Sequence, residues 1–393
     1  MRSLISPQKI SQHLADLAFD GWLVYDYRGL NPVMGQVFGE SLFLTRRAFL
    51  LFTPDDGPRM LVSRVDYTES MEHLDGIAVD TYTTWQDLGT WLQDHISPLR
   101  VLAMEYSPSG ALPAMSWVDG GTLDLIRALG TEVVSSAELF QLAAAAWSEE
   151  NLRSHERAMG HVVGIKDAAF ELVATRLAAG EPCNESSTQA FILEQFAAHD
   201  LVTDEPPIVS VNANSGDPHY APSPEAGAPI EKGDWLLIDL WAKEKGPAGI
   251  FADITWVGQM GPTVPERYAE VFAVVAAARN AVIERVISGG PARGYELDRV
   301  ARDLISDAGY GEAFVHRTGH SLSAGDAVHG LGANLDDFET HDTRPIATGL
   351  GFTIEPGVYL PEFGVRSEVN VHMSPTGATV TAPVQAQPLT FDF

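Results

Sequence analysis

Two acidic residues set inside apolar, strand-like runs constrain this chain most: Asp239 in LLIDLW and Asp253 in FADIT, fourteen residues apart. A carboxylate in such surroundings is expensive unless something positive meets it. The intervening WAKEKGPAGI carries a Lys/Gly/Pro turn, so the two runs read as paired strands that share a cation. His320 (HRTGH), Glu355 (TIEPG) and Glu368 (VRSEV) follow in the C-terminal third, each beside a β-like run. Five hard or borderline ligands brought to one domain read as a two-metal hydrolytic site.

A chain of 393 residues is too long for one ordinary core, and two domains are expected. The first, residues 1–145, alternates a helix over 7–19, strands at 21–26, 47–52, 59–63 and 101–105, and a helix over 84–96. That is an α/β pattern. Ser148 then reads as an N-cap before acids, opening a helix that runs to about Ala179. Further helices are expected at 185–199, 265–287 and 294–308. In the last, Leu297, Val300, Ala301, Leu304, Ile305 and Ala308 share one face, and Gly309 stops it. Strand-like runs lie between and after these helices: PIVSVN, DWLLIDLW, GIFADITWVG, GFTIEPGVYL, GVRSEVNVHM and ATVTAP. Helices in blocks and strands in hairpin-like blocks predict an α+β domain over 146–393 with a mostly antiparallel sheet.

The bulk numbers exclude some partners. A formal net charge of −28 argues against nucleic acid, because phosphate contacts need a basic patch. No stretch reaches the length of a membrane span. The opening MRSLISPQKISQHLADLAFDGW is broken by polar residues, so it reads as an amphipathic helix and not as a signal peptide. Cys183 is the only cysteine, which rules out an intrachain disulfide, and a cytoplasmic location is expected.

Four of the twelve histidines fall at 316, 320, 329 and 341. His316 and His320 have the spacing of a helical zinc pair, but Arg-Thr-Gly between them and a Gly/Ser-rich stretch after them read as strand or loop. No HExxH occurs. One metal histidine, with neighbours left to handle substrate, is the better reading. His341 in FETHDTRP reads as a polar loop residue.

The ordered set GDPHYAPSPEAGAPIEKGDWLLIDL, FADIT, HRTGH, TIEPGVY and VRSE resembles the pita-bread metallopeptidases. That family includes aminopeptidase P, prolidase, methionine aminopeptidase and the metal-free relative creatinase. The resemblance covers about residues 150–385, and residues 1–145 resemble the creatinase-type N-domain in size and position. It implies a curved, mostly antiparallel pita-bread sheet flanked by helices. It implies that Asp239 chelates one metal and Asp253 bridges both. His320 and Glu355 would bind the second metal, and Glu368 would bridge from the other side. Glu355 would also take a proton from the attacking water. His219 in DPHY and His329 in AVHG would hold the scissile carbonyl and its oxyanion. His316, Tyr359 and Arg366 would line the substrate pocket. Four carboxylates against one imidazole favour Mn²⁺, with Co²⁺, Fe²⁺ or Zn²⁺ as substitutes. The implied activity is hydrolysis of Xaa-Pro bonds in short peptides, as a dipeptidase or an aminopeptidase P. The implied assembly is a homodimer whose N-domains cap the partner's site.

The chain departs from that pattern in five places. The gap between Asp239 and Asp253 is a few residues longer than usual, and the stretch from His320 to His329 about two longer. Trp256 stands where an Arg is common. Gly330 and Asn370 stand where acids are common. A small-amide hydrolase of the same fold, ectoine-hydrolase-like or creatinase-like, is the alternative reading. An inactive peptide-binding module comes third, and the five intact ligands count against it.

Overall fold

The apolar runs of the first unit form one six-stranded sheet. The computed structural model describes residues 7–38, 42–68, 71, 74, 76–223 and 227–393. These divide into two compact units, bounded as Met1–Ala145 and Ala146–Phe393. In the first, the strands are β1 (Gly21–Tyr27), β2 (Arg47–Phe52), β3 (Arg59–Ser63), β4 (Ala78–Tyr82), β5 (Val101–Met104) and β6 (Glu132–Ser135), in the order β4-β3-β2-β1-β5-β6. The β1–β2 and β2–β3 pairs are antiparallel, and the outer pairs are parallel. The helices are α1 (Pro7–Asp16), α2 (Pro32–Phe38), α3 (Trp85–Ile96), α4 (Gly120–Arg127) and α5 (Ala137–Phe140). Leu88, Trp91 and Leu92 of α3 pack on Leu23, Phe49 and Leu102 of the sheet. The helix expected over 7–19 stops at Asp16, because Ala18 takes a left-handed turn at φ 55°. Residues 1–6, read above as part of that amphipathic segment, lie outside the described residues.

The second unit opens on α6 (Glu149–Ala179). Ser148 caps it by accepting from the Asn151 amide, and Gly180 ends it at φ 71°. Then come α7 (Glu185–Ala198), β7 (Leu201–Val202), β8 (Ile208–Val211), β9 (Trp235–Glu244), β10 (Ala252–Gln259), α8 (Glu266–Ile287) and α9 (Gly294–Asp307). The C-terminal strands are β11 (Ser321–Leu322), β12 (Gly351–Ile354), β13 (Gly357–Tyr359), β14 (Gly364–Arg366), β15 (Val369–Ser374), β16 (Gly377–Val380) and β17 (Leu389–Thr390).

The antiparallel sheet expected here is laid out as three ladders. One runs β17-β10-β9-β7 with β8 also on β9, one runs β11-β12-β15-β16, and β13 pairs with β14. Among the described residues of this unit, only β10–β17 is parallel. Ala158, Val162, Ile165, Ala169 and Val173 of α6 are buried in the same core as Leu236, Ile238, Ile254 and Val257 of the first ladder. Among the described residues no helix is long and apolar enough to cross a membrane.

Candidate metal centre

The β9–β10 hairpin fixes the first two acids. Asp239 pairs with Thr255, and Asp253 with Trp241, so Asp239, Asp253 and Thr255 share one face of the ladder. The extra length between the acids lies in the turn over 245–251. The ladder from Ala252 to Gln259 is unbroken.

The other three residues arrive from the second and third ladders. His320 immediately precedes β11, Glu355 joins β12 to β13, and Glu368 joins β14 to β15. Thr353 sets two of them: its hydroxyl accepts from the His320 amide at 2.9 Å and donates to Glu355 Oε1 at 3.2 Å. Thr255 sets the third, donating to Glu368 Oε2 at 2.8 Å. On α9, Asp298 accepts from the Thr318 amide and hydroxyl, while Arg302 holds the Phe314 and His316 carbonyls. That pair anchors the whole HRTGH segment.

Ligand atoms of Asp253, His320 and Glu368 lie within 4.8 Å of one another, all three residues buried. His320 Nε2 is 3.4 Å from Asp253 Oδ2 and 3.5 Å from Glu355 Oε1. Its Nδ1 is 3.2 Å from the Ser321 carbonyl, which only accepts, so Nδ1 carries the proton. The bare Nε2 lone pair therefore faces carboxylate oxygens, an arrangement that needs a cation or protons between them. Asp239 meets the Nη2 of Arg366, and its other oxygen, Oδ1, is buried without a hydrogen-bond partner. Glu368 Oε1 is likewise orphaned.

The electrostatics say the same. Burial, then the charges of Asp239 and Glu355, hold the Asp253 carboxyl well above the usual carboxylate range. Burial and Asp253 do this to Glu368. Burial lifts Glu355 to about 7 against the pull of Arg366. Burial pushes His320 well below the usual imidazole range. The acids cannot all ionise together without added positive charge. Hard oxygen donors, one imidazole and two orphaned oxygens make a donor set that suits divalent cations.

The remaining sequence candidates surround this cluster. His316 donates from Nδ1 to the Arg317 carbonyl and accepts at Nε2 from the Tyr359 hydroxyl at 2.8 Å. Burial keeps the ring neutral, with a pKa of about 3, and lifts Tyr359 to about 12. Arg366 donates to Tyr359 at 2.9 Å, to Thr255 at 3.0 Å, to the Pro218 carbonyl at 3.3 Å and to Asp239. Its guanidinium is thus hydrogen-bonded within the cluster. The His329 ring stands edge-on to His320 at 4.3 Å, and His329 as a residue is exposed. Desolvation and the Arg317 charge lower it to about 4. His219 is exposed on the loop after 212–216, and its charge also bears on His329. Residues 224–226 of that loop lie outside the described residues. His341 pairs with Asp337 on the surface.

Three of the departures have physical reasons. A Cβ at Gly330 would come within 2.4 Å of Ser323 Oγ, so no acid fits there. The longer loop between His320 and His329 is tied down by Asp204, which accepts from the Trp241 indole at 2.6 Å and the Val328 amide at 2.9 Å. At Trp256 a cation comes from elsewhere: buried Lys166 of α6 sits 3.7 Å from the ring centre. Thr255, Thr353, Asp298 and Arg302 were not singled out in the sequence. Thr255, two residues from Asp253 on one strand face, was the findable one.

Residues 127–375 match the profile of the family described as metallopeptidase family M24. A curated Xaa-Pro dipeptidase from Lactobacillus helveticus is 33% identical over 165 residues, 41% of this chain and 40% of that protein. The chain thus matches less than half the length of that relative. Among solved structures, dipeptidase PepE from Mycobacterium ulcerans superposes with a TM-score of 0.71 at 19% identity, covering 98% of this chain and 97% of that one. The X-prolyl aminopeptidase from Caenorhabditis elegans, described as a cytosolic enzyme with a di-nuclear active site, gives 0.67 at 15% identity, with coverages of 98% and 63%. At these identities the structural likenesses speak to the fold.

Proposed function

The chain belongs to metallopeptidase family M24, and we propose that it hydrolyses Xaa-Pro bonds in short peptides with two divalent cations held by Asp239, Asp253, His320, Glu355 and Glu368. The observation that carries this reading is the buried meeting of Asp253, His320 and Glu368 beside two orphaned carboxylate oxygens. The match to a curated Xaa-Pro dipeptidase supports the substrate class. Bound cations would supply activation of the attacking water and of the scissile carbonyl.

The residues do the rest. Glu355 Oε1 lies 3.5 Å from His320 Nε2, where its carboxylate would accept a proton from water once neighbouring positive charge restores its ionised form. His329, neutral through the physiological range, donates an N–H to the developing oxyanion, and His219 approaches from the facing loop. The His316–Tyr359 pair, locked by hydrogen bonds, forms a rigid wall for the residue beyond the scissile bond. Arg366 orients Asp239 through its guanidinium. Mn²⁺ is the expected metal. A cytoplasmic homodimer, with the first unit of each chain at its partner's pocket, completes the reading.

A substrate panel with Mn²⁺ tests it: Xaa-Pro dipeptides, Xaa-Pro-Xaa tripeptides and ectoine-like amides, side by side. Turnover of the proline peptides, abolished by chelator and restored by Mn²⁺, is the expected result. Turnover of the cyclic amides alone would transfer the assignment to a small-amide hydrolase.

A further inference from the structure

The five candidate ligands come from both sides of a seam. Asp239 and Asp253 stand on the β9–β10 ladder, while His320, Glu355 and Glu368 stand on the ladders beyond it. No strand pairing joins β10 to β15, yet the outer edge of β10 is almost fully hydrogen-bonded. The Asp253 amide donates to Asn370 Oδ1 at 3.0 Å, and Asn370 Nδ2 donates to the Asp253 carbonyl at 2.7 Å. The Glu368 amide donates to the Thr255 carbonyl at 3.3 Å. The Val257 amide donates to Gln385 Oε1 at 3.2 Å, and Gln385 Nε2 donates to the Val257 carbonyl at 2.7 Å. Two carboxamides, both buried, thus take the place of a missing strand. A carboxamide has the donor and acceptor of a peptide group and can complete an edge in this way.

The two clamps differ in what they hold. Gln385 grips Val257, which carries no chemistry. Asn370 grips the backbone of Asp253 itself, and its own strand begins one residue after Glu368. It is held in turn: the Thr381 amide donates to its carbonyl at 2.9 Å, and the Thr381 hydroxyl donates to His155 Nε2 at 2.7 Å. The His155 Nδ1 returns to the Phe251 carbonyl at 2.9 Å, two residues before Asp253. The chain from α6 through β15 to β10 closes on the strand it supports.

We propose that Asn370 is a positioning residue of the metal centre: its carboxamide locks the Asp253 backbone to the strand of Glu368 and so fixes the spacing of the two carboxylates across the seam. This rests on the metal reading of the site. A side chain that acts behind a ligand shows itself in metal affinity, with losses of about 10–100-fold when it is removed. Gln385 supplies a matched control with the same bonds, burial and strand.

The test is titration of chelator-stripped full-length protein with Mn²⁺ alone, with thermal unfolding of the metal-free forms measured alongside. Wild type that takes up no Mn²⁺ sinks the metal reading itself. With wild-type uptake in hand, Asn370→Ala is expected to weaken Mn²⁺ binding about tenfold or more and to lower kcat with little change in KM. Gln385→Ala is expected to lower the melting temperature while keeping wild-type affinity. Equal affinity in Asn370→Ala and wild type, with both variants merely less stable, overturns the proposal. Should Asn370→Ala fail to fold, Asn370→Ser is read by the same criterion.

Discussion

Asp239 and Arg366 show how one buried charge is managed in two states. Without cations, the guanidinium is the nearest positive group to a cluster of four acids, and it spends its donors on Asp239, Tyr359, Thr255 and the Pro218 carbonyl. Breaking a buried ion pair by removing one partner costs ~3–5 kcal/mol. Arg366→Met should therefore destabilise the metal-free protein by about that amount, and the Mn²⁺-loaded protein by less, because the cations then compensate Asp239. Denaturant midpoints with and without Mn²⁺ check this, and equal losses in both states would refute it. Asp253→Asn should abolish turnover and release Mn²⁺, since a neutral amide cannot serve as a shared anionic ligand; normal turnover would remove Asp253 from the site. The acids were legible because a carboxylate inside LLIDLW or FADIT has few innocent explanations. The engagement of Arg366 was not legible, because it depends on Thr255 and Asp239 arriving from strands more than a hundred residues away in sequence.

At the scale of elements, the extra length of the β9–β10 turn lies outside the ladder that carries Asp239 and Asp253. Gly246 turns the chain at φ 106°, and a Cβ on Gly249 would come within 2.2 Å of the Glu244 carbonyl. Gly249→Ala should cost about 1–3 kcal/mol of stability through this overpacking. Mn²⁺ affinity should stay unchanged, because the ladder from Ala252 onward isolates Asp253 from the turn. A parallel loss of affinity in a calorimetric titration would show that the turn and the site are coupled. The central strands and the four long helices of the second unit were readable from apolar runs, caps and stops, as at Ser148 and Gly309. The edge strands β4 and β6 were not, since AVDTY and EVVS expose much of their surface and lack a continuous apolar run. Strands of two residues, β7, β11 and β17, have no sequence period to read. Nor did the sequence reveal that the sheet divides into three ladders, because carboxamides such as Asn370 and Gln385 do the joining.

In the second unit as a whole, cations and protons compete for the same carboxyls. Without metal, Asp253, Glu355 and Glu368 are held above their unfolded values, so the native chain binds protons that the unfolded chain has released. Their contribution to stability is present at low pH and lost as pH rises through the Glu355 value of about 7. The histidines with lowered values act in the opposite sense. His155, His316 and His329 are depressed to about 4, 3 and 4, so they remain neutral in the fold while the unfolded chain protonates them below about 6.5. Their contribution is lost as pH falls from about 6.5 toward 4. In the metal-free protein the two slopes oppose each other between about 4.5 and 6.5. Metal binding removes the carboxyl slope, because a ligating carboxylate must give up its proton. The loaded protein should therefore lose stability steeply on acidification through pH 6 to 4, while the metal-free protein shows a flatter profile over the same range. Mn²⁺ at a hundredfold over its Kd adds ~2.7 kcal/mol at one site, so the gap between the two melting curves is measurable, and it should widen as pH rises toward about 7. A gap independent of pH would mean that the cation binds without displacing protons, and hence that these three carboxyls are not its ligands.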